Sequence, residues 1–123
     1  MNLAIEELAS HDLIGHTECD WEWDPHNPSL AVVIAPTHQR KGFGLEACQL
    51  LLRYLFEYTP AHTVTCWIAE WNQPARQFGA RSGFRESGRL RRAGIWGGQY
   101  YDIIVADLLR SVCLRWGGES HAA

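Results

Sequence analysis

The spacing of apolar and polar positions divides the chain into eight segments. Leu3, Ile5 and Leu8 predict a short strand. Ser10-His11-Asp12 is turn chemistry, and Leu13 to Trp23 predicts a second strand with Gly15 as a weak spot or bulge; together they form a hairpin. Asp24-Pro25-His26-Asn27-Pro28 is a loop by composition. The unbroken apolar run Leu30 to Ile34, stopped by Pro36, predicts a buried central strand. From Phe43 to Tyr58 the period changes: Leu45, Cys48, Leu51, Leu52 and Leu55 fall on one helical face, and Glu46, Gln49, Arg53 and Glu57 on the other. Val64 to Ala69 predicts a strand. Asn72 predicts a helix N-cap with Pro74 in the first turn, and the helix runs to about Ser82 with Gly83 as its left-handed stop. Phe84 to Ile95 and Tyr100 to Leu108 are strands joined across Gly97-Gly98, a hairpin signal.

The order is β-β-β-α-β-α-β-β. It predicts an α/β (α+β) domain over residues 1–123, with one parallel βαβ crossover between antiparallel hairpins and a frayed tail over 117–123. A length of 123 residues suits one domain. A net charge of −3 gives no electrostatic footprint for nucleic acid. No apolar run approaches the ~20 residues of a membrane span, and the start MNLAIEELAS has no basic region of the kind that opens a secretory signal. Cys19, Cys48, Cys66 and Cys113 form no CxxC pair, and three lie in apolar or alternating runs, where cysteine acts as a small buried hydrophobe. That usage fits a reducing cytoplasm. His11, His16 and Cys19 lack metal-ligand spacing, so no metal is expected.

The stretch 38-HQRKGFGLEA-47 holds the candidate chemistry. Gly42 and Gly44 stand between the buried strand and the amphipathic helix, with Arg40 and Lys41 beside them. A helix N-terminus presents unpaired N–H groups and partial positive charge, and glycine lets a phosphate approach the backbone. No Gly-Lys-Ser/Thr follows, and Ala47 stands where a dinucleotide fingerprint needs a third glycine. These residues alone fit either an anion site or a ligand-free turn.

With its surroundings the stretch resembles the GNAT superfamily of acyl-CoA-dependent N-acetyltransferases. Gln39, Gly42 and Gly44 match the pattern Q/R-x-x-G-x-G/A after a strand ending near Pro36. Asn72-Gln73-Pro74-Ala75 and Gly83-Phe84 match the Asn-x-x-Ala…Gly-Phe block, and Tyr100, Tyr101 and Asp102 stand where the branch of ribosomal-protein N-terminal acetyltransferases has a Gly-Tyr-like turn leading into an Asp-containing last strand. The resemblance covers about residues 3 to 110. It implies acetyl-CoA as cosubstrate. The pyrophosphate would lie on Gln39, Arg40, Lys41, Gly42 and Gly44, and the pantetheine arm between splayed strands, on backbone groups of Val33, Ile34 and Ala35, with Asn72 also on the cofactor side. It further implies direct attack of a primary amine, of a small molecule or a peptide, on the thioester.

Two departures stand out. The family's first strand and first two helices have no counterpart ahead of the opening hairpin, which predicts an exposed strand edge and a homodimer to cover it. The Tyr that usually protonates the leaving thiolate is replaced by Gly79. Glu70, just past the central strand, is the candidate base; Trp67 and Trp71 around it are expected in the core, with the rim of an acceptor pocket as the alternative. His16, Glu18 and Asp20 share one strand face, expected to be solvated. The competing readings are a CoA-binding remnant or regulatory subunit without catalysis, and an interaction domain.

Overall fold

The computed structural model describes residues 1–21 and 24–113. The strands are β1 (Asn2–Glu6), β2 (Leu13–Asp20), β3 (Ser29–Ile34), β4 (Thr63–Ala69), β5 (Arg85–Trp96) and β6 (Gln99–Leu109), and the helices are α1 (Phe43–Tyr58) and α2 (Gln73–Arg81), with a 3-10 turn at Pro36–His38. This is the expected order. One six-stranded sheet runs β1-β2-β3-β4-β6-β5, parallel only between β3 and β4. Residues 22, 23 and 117–123, which bear on the expected end of the second strand and on the tail, lie outside the described residues.

Local chemistry accounts for the ends of the elements. The Asn72 side chain accepts the Ala75 N–H at 3.2 Å, capping α2. Gly83 has φ +97°, and Phe84 N–H returns to Gly79 C=O at 2.9 Å, closing a left-handed stop. Gly97 and Gly98 both have positive φ (60° and 77°), as a two-residue turn between twisted strands requires. β1 ends earlier than its apolar pattern suggests. The pairing slips between Ile5 and Glu6, and Glu7 N–H turns to Asp12 C=O at 2.9 Å.

The core lies on the sheet face covered by α1. Cys48, Leu51, Leu52, Leu55 and Phe56 of α1 pack with Leu30, Val64, Ala106 and Leu108 of the strands. Each fully buried side chain of this size contributes about 1.5–3 kcal/mol. Cys19, Cys48 and Cys113 are buried there, and Cys66 is partly buried. The opposite sheet face has no helix on it among the described residues. Gly15 matters because β3 passes very close: a Cβ there would lie 2.1 Å from the Val33 carbonyl oxygen.

Candidate active site

The parallel strands β3 and β4 meet at one register, Ser29 against Thr65. That end is fastened by the preceding loop. His26 C=O accepts the N–H groups of His62 (2.8 Å) and Thr63 (3.2 Å), Pro28 C=O accepts Thr65 N–H at 3.0 Å, and Thr65 Oγ1 donates to Asn27 Oδ1 at 2.7 Å. Beyond it the ladder stops and the strands part. A slot of about 160 Å³ occupies the gap, walled by Leu30, Val32, Cys66, Ile68, Phe78 and Gly79 among others. Its lining is almost entirely apolar. Burial pushes the Cys66 thiol up to about 12 and the Cys48 thiol up to about 11, so neither offers a thiolate near neutral pH.

Antiparallel pairing decides which backbone groups face this gap. Val33 lies opposite His16, and Ala35 N–H donates to Ile14 C=O at 2.7 Å. Successive residues of a strand present their N–H and C=O to opposite sides. Val33 and Ala35 therefore turn toward β2, and Val32 and Ile34 turn toward the gap. Of the three residues expected on the pantetheine arm, only Ile34 is so oriented, and its carbonyl accepts Gln39 Nε2 at 2.9 Å. Val32, which the sequence pattern did not single out, shares that orientation. The alternation away from Pro36 carries that information only once the β2 register is known.

The glycine turn lies at the open end of β3. Arg40 (φ 63°) and Gly42 (φ 87°) are both left-handed. The first helical bond of α1 runs from Glu46 N–H to Gly42 C=O at 3.0 Å, so the N–H groups of Phe43, Gly44 and Leu45 have no partner in the helix. Arg40 and Lys41 are exposed, and neither takes part in an ion pair among the described residues. The two glycines act differently. A Cβ at Gly42 would meet nothing within 4 Å. One at Gly44 would press on the Phe78 ring and Ile34 at 3.2 and 3.3 Å, so Gly44 lets α1 start hard against α2 and β3.

At the C-terminal end of β4 the carboxylates are engaged. Glu70 Oε2 accepts from Arg89 Nη1 at 2.6 Å and Oε1 from Asp102 N–H at 3.2 Å. Arg89 Nη1 also reaches Asp102 Oδ2 at 3.0 Å, and Asp102 Oδ1 accepts Arg92 N–H at 2.8 Å. The Arg92 N–H, and then the Arg89 guanidinium, hold the Asp102 carboxyl below its usual range. Arg76 ties α2 to this end through Glu70 C=O (3.1 Å) and a forked pair with Glu86 (2.9 and 2.8 Å). Glu70 is thus a cross-strand tie, and acting as a base would require release from Arg89. Asn72 spends its carbonyl oxygen on the α2 cap and keeps its amide donors. Gly79 is buried on the slot wall, and a Cβ there would lie 3.5 Å from Ile68 Cδ1, an ordinary contact. Trp67 and Trp71 are exposed rather than in the core, since among the described residues no helix covers the face they occupy. His16 and Glu18 are solvated as expected and contact each other at 3.2 Å.

The model of the family described as Acetyltransferase (GNAT) domain matches residues 1–85. The chain is 29% identical over 112 residues to spermidine N(1)-acetyltransferase of Vibrio cholerae serotype O1, across 90% of this chain and 65% of that protein. It is 27% identical over 99 residues to the uncharacterised N-acetyltransferase YnaD of Bacillus subtilis, across 77% of this chain and 58% of that one. The chain therefore spans about two thirds or less of the curated relatives it matches. Among solved structures, spermidine N-acetyltransferase from Vibrio cholerae in complex with CoA and spermine superposes with a TM-score of 0.83 at 27% identity, covering 92% of this chain and 67% of that one.

Proposed function

The chain belongs to the GNAT acetyltransferase family, and on that premise we propose that it transfers an acetyl group from acetyl-CoA to a primary amine. The observation that carries the reading is the single paired register between β3 and β4, beyond which a slot opens between the strands, with the glycine turn following the same end of β3 in the chain. Acetyl-CoA supplies the activated thioester. The N–H groups of Phe43, Gly44 and Leu45, with Arg40 and Lys41, suit its phosphates. The gap-facing amide of Ile34 and carbonyl of Val32 suit the peptide-like arm, and an N–H aimed into the slot can stabilise a developing oxyanion. Asn72 amide donors border the same end. The acceptor amine must arrive neutral, and with Gly79 in place of a hydroxyl-bearing residue, proton delivery to the leaving sulfur falls to water.

The relatives described above are named for spermidine or left uncharacterised, and they do not single out the branch of ribosomal-protein N-terminal acetyltransferases. The acceptor is accordingly proposed as a small-molecule amine. Gly79 alone favours the second reading, CoA binding without turnover. Two further parts of the proposal rest on surfaces and cysteines. β1 is a sheet edge with Leu3 exposed on it, which suits pairing with a second copy. The alternative route to a dimer, exchange of the C-terminal strand Tyr100–Leu108 and its apolar follow-on Val112–Trp116, involves residues that lie partly outside the described ones. Among the described residues no helix is long and apolar enough to cross a membrane, and the four free cysteines suit a cytoplasmic setting.

Calorimetry with acetyl-CoA tests the reading. Gly42→Val forces a β-branched residue into a left-handed backbone and should weaken binding at least tenfold, ~1.4 kcal/mol. Arg40→Ala with Lys41→Ala should weaken it without touching the backbone. Unchanged affinity in both folded variants would reject the site.

A further inference from the structure

The sheet face opposite α1 and α2 carries a line of aromatic and apolar side chains toward the open end of the splayed strands. Trp67 pairs with Val105, and Leu90 with Ile103, on this face. Beyond Ile103, the Tyr101 ring lies over Gly94, where a Cβ would sit 2.2 Å from it. Trp71 then stacks on Trp96, with ring centroids 5.1 Å apart and planes at 25°, and meets Tyr101 edge-on at 5.8 Å. Trp67, Trp71 and Trp96 remain 56%, 51% and 70% exposed. The stack is held from behind, because Glu70 and Asp102, the immediate neighbours of Trp71 and Tyr101, are both clasped by Arg89.

Charge follows the opposite gradient. Among the described residues, the acidic side chains of this face sit toward the closed end, Asp20 opposite Ser29 and Asp107 opposite Thr65. Glu18 contacts His16 at 3.2 Å. At the open end Glu70 and Asp102 share the Arg89 cation, Glu7 is 3.3 Å from His38, and Arg91 and Arg92 follow along β5. A polycation needs carboxylates spaced along its length, and at the open end Glu70 and Asp102 are already engaged by Arg89. Stacked indoles with free outer faces favour a flat ring.

Resting on the acetyltransferase reading, we propose that the acceptor is a primary amine bearing an aromatic ring, which the Trp71–Trp96–Tyr101 stack holds while the amine points into the splay. The chain thereby differs from spermidine acetyltransferases in acceptor class. The stack is a specificity site and takes no proton.

The test compares 2-phenylethylamine, spermidine and propylamine as acceptors, with thiol release as the signal and calorimetric acetyl-CoA binding as a separate control. The expected result is a kcat/KM for 2-phenylethylamine at least tenfold above that for spermidine. Trp96→Ala and Trp71→Ala should each raise the KM for 2-phenylethylamine at least fivefold, leave propylamine unchanged and be rescued by Phe. A preference for spermidine, or an unmoved KM in Trp96→Ala, overturns the assignment while leaving the acetyltransferase reading intact. If acetyl-CoA binds and no amine is acetylated, transfer itself fails. The stack is then judged by saturation-transfer NMR with 2-phenylethylamine on the CoA-saturated protein, where no signal overturns it. If Trp96→Ala lowers the mass in light scattering and leaves the amine preference unmoved, the stack joins copies of the chain and the proposal falls.

Discussion

Replacing Gly15 by Ala probes the closest backbone approach in the sheet. The added methyl would stand 2.1 Å from the Val33 carbonyl oxygen, whereas real Cβ atoms essentially never come within 3.0 Å of such a neighbour, so the strands must part by roughly 0.9 Å or more. The obstacle is main chain and cannot rotate away. Val33 lies opposite His16 in the ladder, so the parting also strains that pairing. Overpacking costs about 1–3 kcal/mol, and a weakened ladder bond adds about 1 kcal/mol. The expected destabilisation is therefore about 2–4 kcal/mol. With an unfolding entropy of ~2.1 cal/mol/K per residue, it lowers Tm by roughly 8–16 °C. Urea denaturation followed by tryptophan fluorescence should show a lower midpoint at unchanged slope. Gly88→Ala is the matched control: that Cβ meets nothing within 4 Å, and its effect should stay within about 0.5 kcal/mol. Gly15→Ala should also weaken acetyl-CoA binding, because β3 carries the gap-facing groups of Val32 and Ile34. A Gly15→Ala protein as stable as the Gly88→Ala control would refute the close-approach argument.

Gly79→Ala should stabilise the fold by up to ~1 kcal/mol in the same denaturation assay, since the new methyl makes only an ordinary contact and α2 gains helix propensity. Gly79→Tyr, given room in the slot, should raise turnover at least tenfold by restoring a proton donor; no gain would mean that proton delivery does not limit the reaction. The Asp102 carboxyl is depressed in the folded state, so its contribution is complete above the usual carboxylate pKa of about 3.9 and fades as pH falls below it toward the folded value. The circular-dichroism signature of the coupled Trp71–Trp96 pair should therefore persist at pH 5 and fade on acidification below about pH 4, and Asp102→Asn should show a weakened signal already at pH 7. Light scattering at micromolar concentration should give twice the 14.0 kDa of one chain, and Ile5→Pro, which removes a donor in the edge strand, should shift it toward monomer; a wild-type mass near 14.0 kDa would refute the dimer.

Much of the molecule is local and was legible in the sequence. The stripe on α1, the Asn72 cap, the Gly83 stop and the Gly97-Gly98 turn are each set by residues within a few positions of one another, so spacing alone predicts them. The glycine turn and its basic neighbours were legible for the same reason. Tertiary structure decided what depends on partners distant in sequence. Whether β3 and β4 pair fully or part after Ser29 and Thr65 depends on the loop that fastens one end and on the packing of α1 and α2. Which amides of β3 face the gap depends on its register with β2, and a shift of one residue would exchange Val33 for Val32. The tie of Glu70 to Arg89 and Asp102 spans 19 and 32 residues, and the Trp71–Trp96 stack joins a loop to the far end of β5. A sequence pattern marks which residues seek burial or partners. The choice among partners is made only when strands meet, because register and crossover geometry fix which atoms lie within a few ångströms.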